Sequence, residues 1–120
     1  MKEQSTKEFV YEIYQFEIDM KRLETDSEYS KVVANRMFRE LSEEDKPTFT
    51  LNQYKMVHKD VLKFEGSDMA ALEKLFCKYN IDHPAGYKGR SLSVSDVVKL
   101  NDKYYYCQPF GWDEITVNDK

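Results

Sequence analysis

The final third of the chain constrains the fold most tightly. Asp96 to Leu100 and Lys103 to Cys107 are two short runs rich in β-branched and aromatic residues, separated only by Asn101-Asp102. A two-residue connection of that composition is a hairpin turn, which makes the flanking strands antiparallel neighbours. Pro109-Phe110-Gly111 turns the chain again, and Trp112 to Val117 reads as a last short strand.

The N-terminal part supplies another strand. Across residues 8–18, Phe9, Tyr11 and Ile13 alternate before Phe16 and Ile18 take the opposite parity, which predicts a bulge or an end near Gln15. Thr25 followed by Glu28 fits a capping box. Tyr29, Val32, Val33, Met37 and Leu41 then recur at helical spacing, so a helix is expected over about 26–41, with Pro47 barring its continuation. Residues 48–64 read as one or two strands, with Tyr54, Met56 and His58 on one face and Val57 on the other. Ser67 and Asp68 open a second helix over about 68–79, striped by Met69, Leu72, Leu75, Phe76 and Tyr79 and terminated at Asn80. Residues 80–95 form a long connection. The expected fold is α+β, a small and mostly antiparallel sheet packed by two helices, in one domain over residues 1–120.

Charge and cysteines narrow the setting. The net charge is -4, and acids crowd residues 1–30. That balance suits a basic protein partner better than a phosphate backbone. Cys77 and Cys107 lie far apart with no metal-ligand spacing, and read as reduced thiols. There is no secretory signal and no apolar run of about 18 residues. The cytoplasm is the expected compartment, with no membrane contact.

Motifs for chemistry are sparse. Gly-x-Ser-x-Gly, the phosphate-cradling P-loop and His-Glu-x-x-His are all missing from the sequence, and nothing calls for a cofactor or a metal. The one catalytic arrangement to consider is a metal-independent ribonuclease. In it His58 or His83 would act as acid or base, and Lys88 and Arg90 would stabilise the charged phosphorane. The aromatic content points elsewhere. The chain has nine Tyr, seven Phe and one Trp, and Tyr104, Tyr105 and Tyr106 are consecutive. A strand must show such a run to both faces, so at least one ring is expected to meet solvent or a partner.

Residues 76–112 carry a resemblance. Asn80-Ile81-Asp82-His83-Pro84, then Gly89-Arg90-Ser91-Leu92-Ser93-Val94-Ser95-Asp96-Val97-Val98, then a Tyr-Tyr strand and a Phe-Gly-aromatic end, follow one another as in the YodL-like domain. The opening Tyr11-Glu12-Ile13-Tyr14-Gln15 is similar to that family's start, while Cys107-Gln108 stands where the family often has Val-Asp. The resemblance implies a protein of Gram-positive bacteria and their mobile elements or phages, where such genes recur near antirestriction functions. It brings no catalytic residues with it. The expectation that follows is a counter-defence protein that inhibits a type II CRISPR effector nuclease, or its guide-RNA complex, by direct binding. Glu12, Glu17 and Asp19, with Tyr104 and Tyr106, are the expected contacts. The alternatives are the guide-trimming ribonuclease of His58, His83 and Arg90, an antirestriction protein, and an interaction module of conjugation machinery. The serines and aspartate of 91–96 read first as holding an irregular turn before a strand, and second as a binding motif.

Overall fold

The computed structural model describes residues 7–81, 87, 89 and 91–119. The chain runs β1 (Lys7–Phe16), α1 (Met20–Thr25), α2 (Ser27–Arg36), a 3-10 turn (Glu43–Thr48), β2 (Tyr54–Phe64), α3 (Asp68–Ile81), β3 (Val97–Leu100), β4 (Lys103–Cys107) and β5 (Trp112–Ile115). The strands form one sheet in the order β2-β1-β3-β4-β5, and every pair is antiparallel. Asn101, at a φ of 55°, turns the chain between β3 and β4, as its composition predicts.

Helix α3 covers one face. Ser67 caps its start through the amide of Ala70 at 3.2 Å. Ala71, Leu72, Leu75 and Tyr79 are fully buried and share a core with Phe9, Tyr11, Ile13, Val98 and Leu100. Met69, expected in that stripe, is exposed instead, and Ala71 takes the inward position.

The opposite face is covered differently from expectation. The helix predicted over 26–41 is α2, which starts where expected but ends at Arg36, and a separate short helix, α1, precedes it. Asp26 ends α1 and also caps α2, accepting from the amides of Glu28 and Tyr29, so the proposed capping box of Thr25 and Glu28 does not form. Of the residues in α1 and α2, only Tyr29 is buried. Phe38, at a φ of 62°, turns the chain out of helical geometry. The segment from Leu41 to Leu51 then crosses the sheet, where Leu41 and Phe49 join Val97, Tyr104, Tyr106, Ile115 and Val117 in a second core. It shields the β3-β4-β5 half. On the β1-β2 half Val10, Met56 and Val61 remain exposed.

These two covers explain the parity switch in β1. The strand itself keeps its alternation, since the irregularity opposite Ile13 and Tyr14 adds Val57 on β2. Phe9, Tyr11 and Ile13 lie under α3. Phe16 lies on the other face, stacked edge-on with Tyr54 at 5.5 Å. The same bulge carries His58 opposite Ile13 and into the α3 core, away from Met56, which stands opposite Tyr14 and is exposed. The expected shared face of Tyr54, Met56 and His58 is thereby broken after Met56.

Candidate functional site

The turn before β3 is a polar junction. Asp96 and Ser95 are fully buried. The Asp96 carboxylate accepts from the Ser93 amide at 2.9 Å and from Gln15 Nε2 at 3.1 Å. Ser95 adopts a φ of 86°, its Oγ accepts from the Phe38 amide at 3.0 Å, and its carbonyl accepts from the Tyr54 hydroxyl at 2.7 Å. Four parts of the chain meet there, β1, the start of the irregular cover, β2 and β4. The serines and the aspartate hold the fold together at this point, and the buried carboxylate has no open path to a substrate.

His58 is enclosed by Tyr11, Tyr79 and Tyr87, with ring centroids at 6.4, 5.7 and 5.5 Å. Its Nε2 is shielded from solvent, makes no hydrogen bond among the described residues, and stands 3.7 Å from the Asp60 carboxylate. A carboxylate beside the imidazole repels a phosphodiester rather than attracting one. His83 and Arg90 lie outside the described residues. Burial pushes the Cys107 thiol up to about 12, helped by the Asp96 and Glu73 carboxylates, so the thiol is inert near neutral pH. Among the described residues, no group of three His, Cys, Asp or Glu side chains is placed to hold a metal ion, and no helix is long and apolar enough to cross a membrane.

The predicted partner contacts fall in three situations. Glu12 on β1 and Glu17 just after it each face a lysine of β2, namely Lys59 at 3.5 Å and Lys55 at 3.8 Å. Glu12 also accepts from the Tyr14 hydroxyl, and that bond, with Lys99 and Lys59 adding to it against the cost of burial, holds its carboxyl below the ordinary range. Asp19 is occupied in capping α1, accepting from the Arg22 amide at 3.1 Å. With Glu17, Arg22, Tyr29 and Tyr54 it borders a polar cleft of about 400 Å³.

The expectation that one of the consecutive tyrosines is exposed is corrected: Tyr104 and Tyr106, the expected contacts, are 6% and 0% exposed, and Tyr105 is 3% exposed, so all three are buried in the free protein. Both faces of β4 are covered, one by α3 and one by the irregular segment. The Tyr106 hydroxyl donates to the Arg39 carbonyl at 2.6 Å, and the Tyr105 hydroxyl donates to Asp68 at 2.7 Å.

Two aromatics are exposed among the described residues, Phe38 at 54% and, far more fully, Phe110. Phe110 is 96% exposed at the tip of the β4–β5 connection. Pro109 presets one φ there, Gly111 supplies a φ of 81°, and the Gln108 amide closes the loop on the Gly111 carbonyl at 2.9 Å. Trp112 beside it is buried and stacks edge-on with Phe76 at 6.4 Å.

A family model described as YodL-like domain matches residues 10–117. The chain belongs to the YodL-like domain family. The matched span reaches into all five strands, so it includes the buried Ser-Asp junction as well as the exposed Phe110 turn. No curated protein and no solved structure matches the chain.

Proposed function

We propose that this YodL-like domain is a counter-defence protein of a mobile genetic element, and that it inhibits a type II CRISPR effector nuclease or its guide-RNA complex by direct, stoichiometric binding. The observation that supports binding over catalysis is the contrast within the signature stretch. Its polar residues, Ser95 and Asp96, are buried in holding the fold, whereas Phe110 stands wholly in solvent on a constrained turn. An exposed aromatic on a rigid support is a low-entropy anchor for a protein partner. The mobile-element setting implied by the family resemblance and the net charge of -4 favour a nuclease with a basic surface as that partner.

This reading moves the main contact away from the acidic residues of β1 and its flank. Glu12, Glu17 and Asp19 have their charges offset or occupied internally, so they contribute at most to the rim. The test is retention of the purified protein on an immobilised type II effector, with and without guide RNA, followed by a gel of the guide. Retention with an intact guide is the expected result. Absence of retention in both conditions would sink the reading. A guide shortened over time would replace it with the ribonuclease, to be traced through His58→Ala, His83→Ala and Arg90→Ala.

A further inference from the structure

The Phe110 turn does not stand alone. Between it and α3 lies a groove of about 250 Å³, with Phe76, Cys107, Pro109, Phe110 and Trp112 as apolar walls and Glu73 as the charged residue that lines it. Further carboxylates stand nearby. Asp68 accepts from the Tyr105 hydroxyl, and Glu114 lies close enough to help raise the pKa of that same phenol. The helix divides its charges by side. Lys74 and Lys78, with Cys77 and Ile81, turn to the cleft beside Leu62, at the β2 side of the sheet. Of the charged side chains of α3, Glu73 lines the groove, whereas Lys74 and Lys78 line the other cleft.

We infer that this groove is the docking site for a short basic segment of the partner protein, one that alternates cationic and apolar side chains. An apolar side chain would enter between Phe76, Trp112 and Phe110, and arginines or lysines would meet Glu73, Asp68 and Glu114. The partial negative charge on the exposed ring face of Phe110 favours a guanidinium laid over it. The acidic rim excludes nucleic acid and acidic peptides by the same charge complementarity. This deepens the binding reading above, since it names the surface used and the chemistry it meets.

Trp112 provides a direct readout, because it is the single tryptophan of the chain and lines the groove. The experiment titrates the full chain with a capped, fluorescein-labelled hexapeptide of alternating arginine and leucine, and in parallel with its glutamate-leucine counterpart. Trp112 emission and peptide anisotropy are followed. The expected result is saturable binding of the cationic peptide that shifts Trp112 emission and weakens in high salt, with none for the acidic peptide. Phe110→Ala and Glu73→Lys should each weaken it by about tenfold or more, as removal of a central anchor does. Glu17→Lys, the same charge reversal away from the groove, should leave it unchanged. Phe110 is 96% exposed, so its variant keeps the wild-type circular dichroism and melting temperature. The inference is overturned by equal binding of the acidic peptide, by no binding at all, or by equal losses in Glu73→Lys and Glu17→Lys. Binding of the peptide by a protein that fails to retain any CRISPR effector would keep the groove and discard the target.

Discussion

The two faces of the sheet are covered by different physics. Under α3 the cover is a regular helix whose Ala71, Leu72, Leu75 and Tyr79 press on Phe9, Tyr11 and Ile13, so the contact is mainly apolar area, with the Tyr11–Tyr79 hydroxyl pair at 2.6 Å and the Tyr105–Asp68 bond as its polar ties. On the other face the cover is irregular, and few of its side chains are apolar and buried. It is pinned instead by polar bonds from side chains to backbone. Gln108 bridges the amide and the carbonyl of Leu41 at 2.9 Å each, Ser95 takes the Phe38 amide, and Tyr106 takes the Arg39 carbonyl. Lys46 ties the 3-10 turn to Asp113 of β5 at 2.8 Å. A helix satisfies its own backbone and can be held by shape alone, whereas an irregular segment needs partners for its amides and carbonyls.

That contrast sets an order of effects. Leu75→Ala removes a fully buried side chain from the helical cover and should cost about 3 kcal/mol in urea unfolding, the middle of the range for such truncations. Gln108→Ala should cost less, about 1–3 kcal/mol, by leaving both backbone groups of Leu41 without their partner. Its distinctive mark is local, with the Leu41 amide exchanging faster while the amides of β1 keep their protection. If Gln108→Ala destabilises as much as Leu75→Ala and loosens both faces, the two covers are one cooperative unit and the contrast fails.

Glu12, on the open part of the second face, gives a smaller, pH-dependent effect. Its carboxyl is held low chiefly by the Tyr14 hydroxyl. A depressed folded value means that the stabilisation is present above the unfolded carboxylate value of about 4.3 and is lost as pH falls through the folded value. Glu12→Gln should therefore be less stable than wild type at pH 7, with the difference shrinking toward zero in strong acid. A constant difference at all pH values would assign the loss to packing. Phe110→Ala should change stability by less than about 0.5 kcal/mol, because the ring buries nothing in the free protein.

The sequence was most informative where period and composition act locally. The β3–β4 hairpin, the alternation of β1 and the stripe of α3 follow from side-chain spacing. The second cover was not legible because its support comes from residues far along the chain, such as Gln108 reaching Leu41. For the same reason Tyr104 and Tyr106 read as surface aromatics although both faces of β4 are closed. Two further signals were present. Asp19 and Asp26 are both helix caps, so a short helix precedes the expected one. Pro109-Phe110-Gly111 is legible as a turn, and the exposure of Phe110 at its tip follows from the short connection between β4 and β5. The extra residue at Val57, which swings His58 inward, has no local signature, since a bulge depends on the partner strand.

The most direct test of the central claim is plasmid cleavage by a guide-loaded type II effector, with rising amounts of the wild-type protein and of Phe110→Ala. Loss of cleavage near equimolar wild-type protein, with an intact guide and a Phe110→Ala curve displaced by about tenfold or more, is the predicted result. Undiminished cleavage at a large excess of wild-type protein would contradict the account.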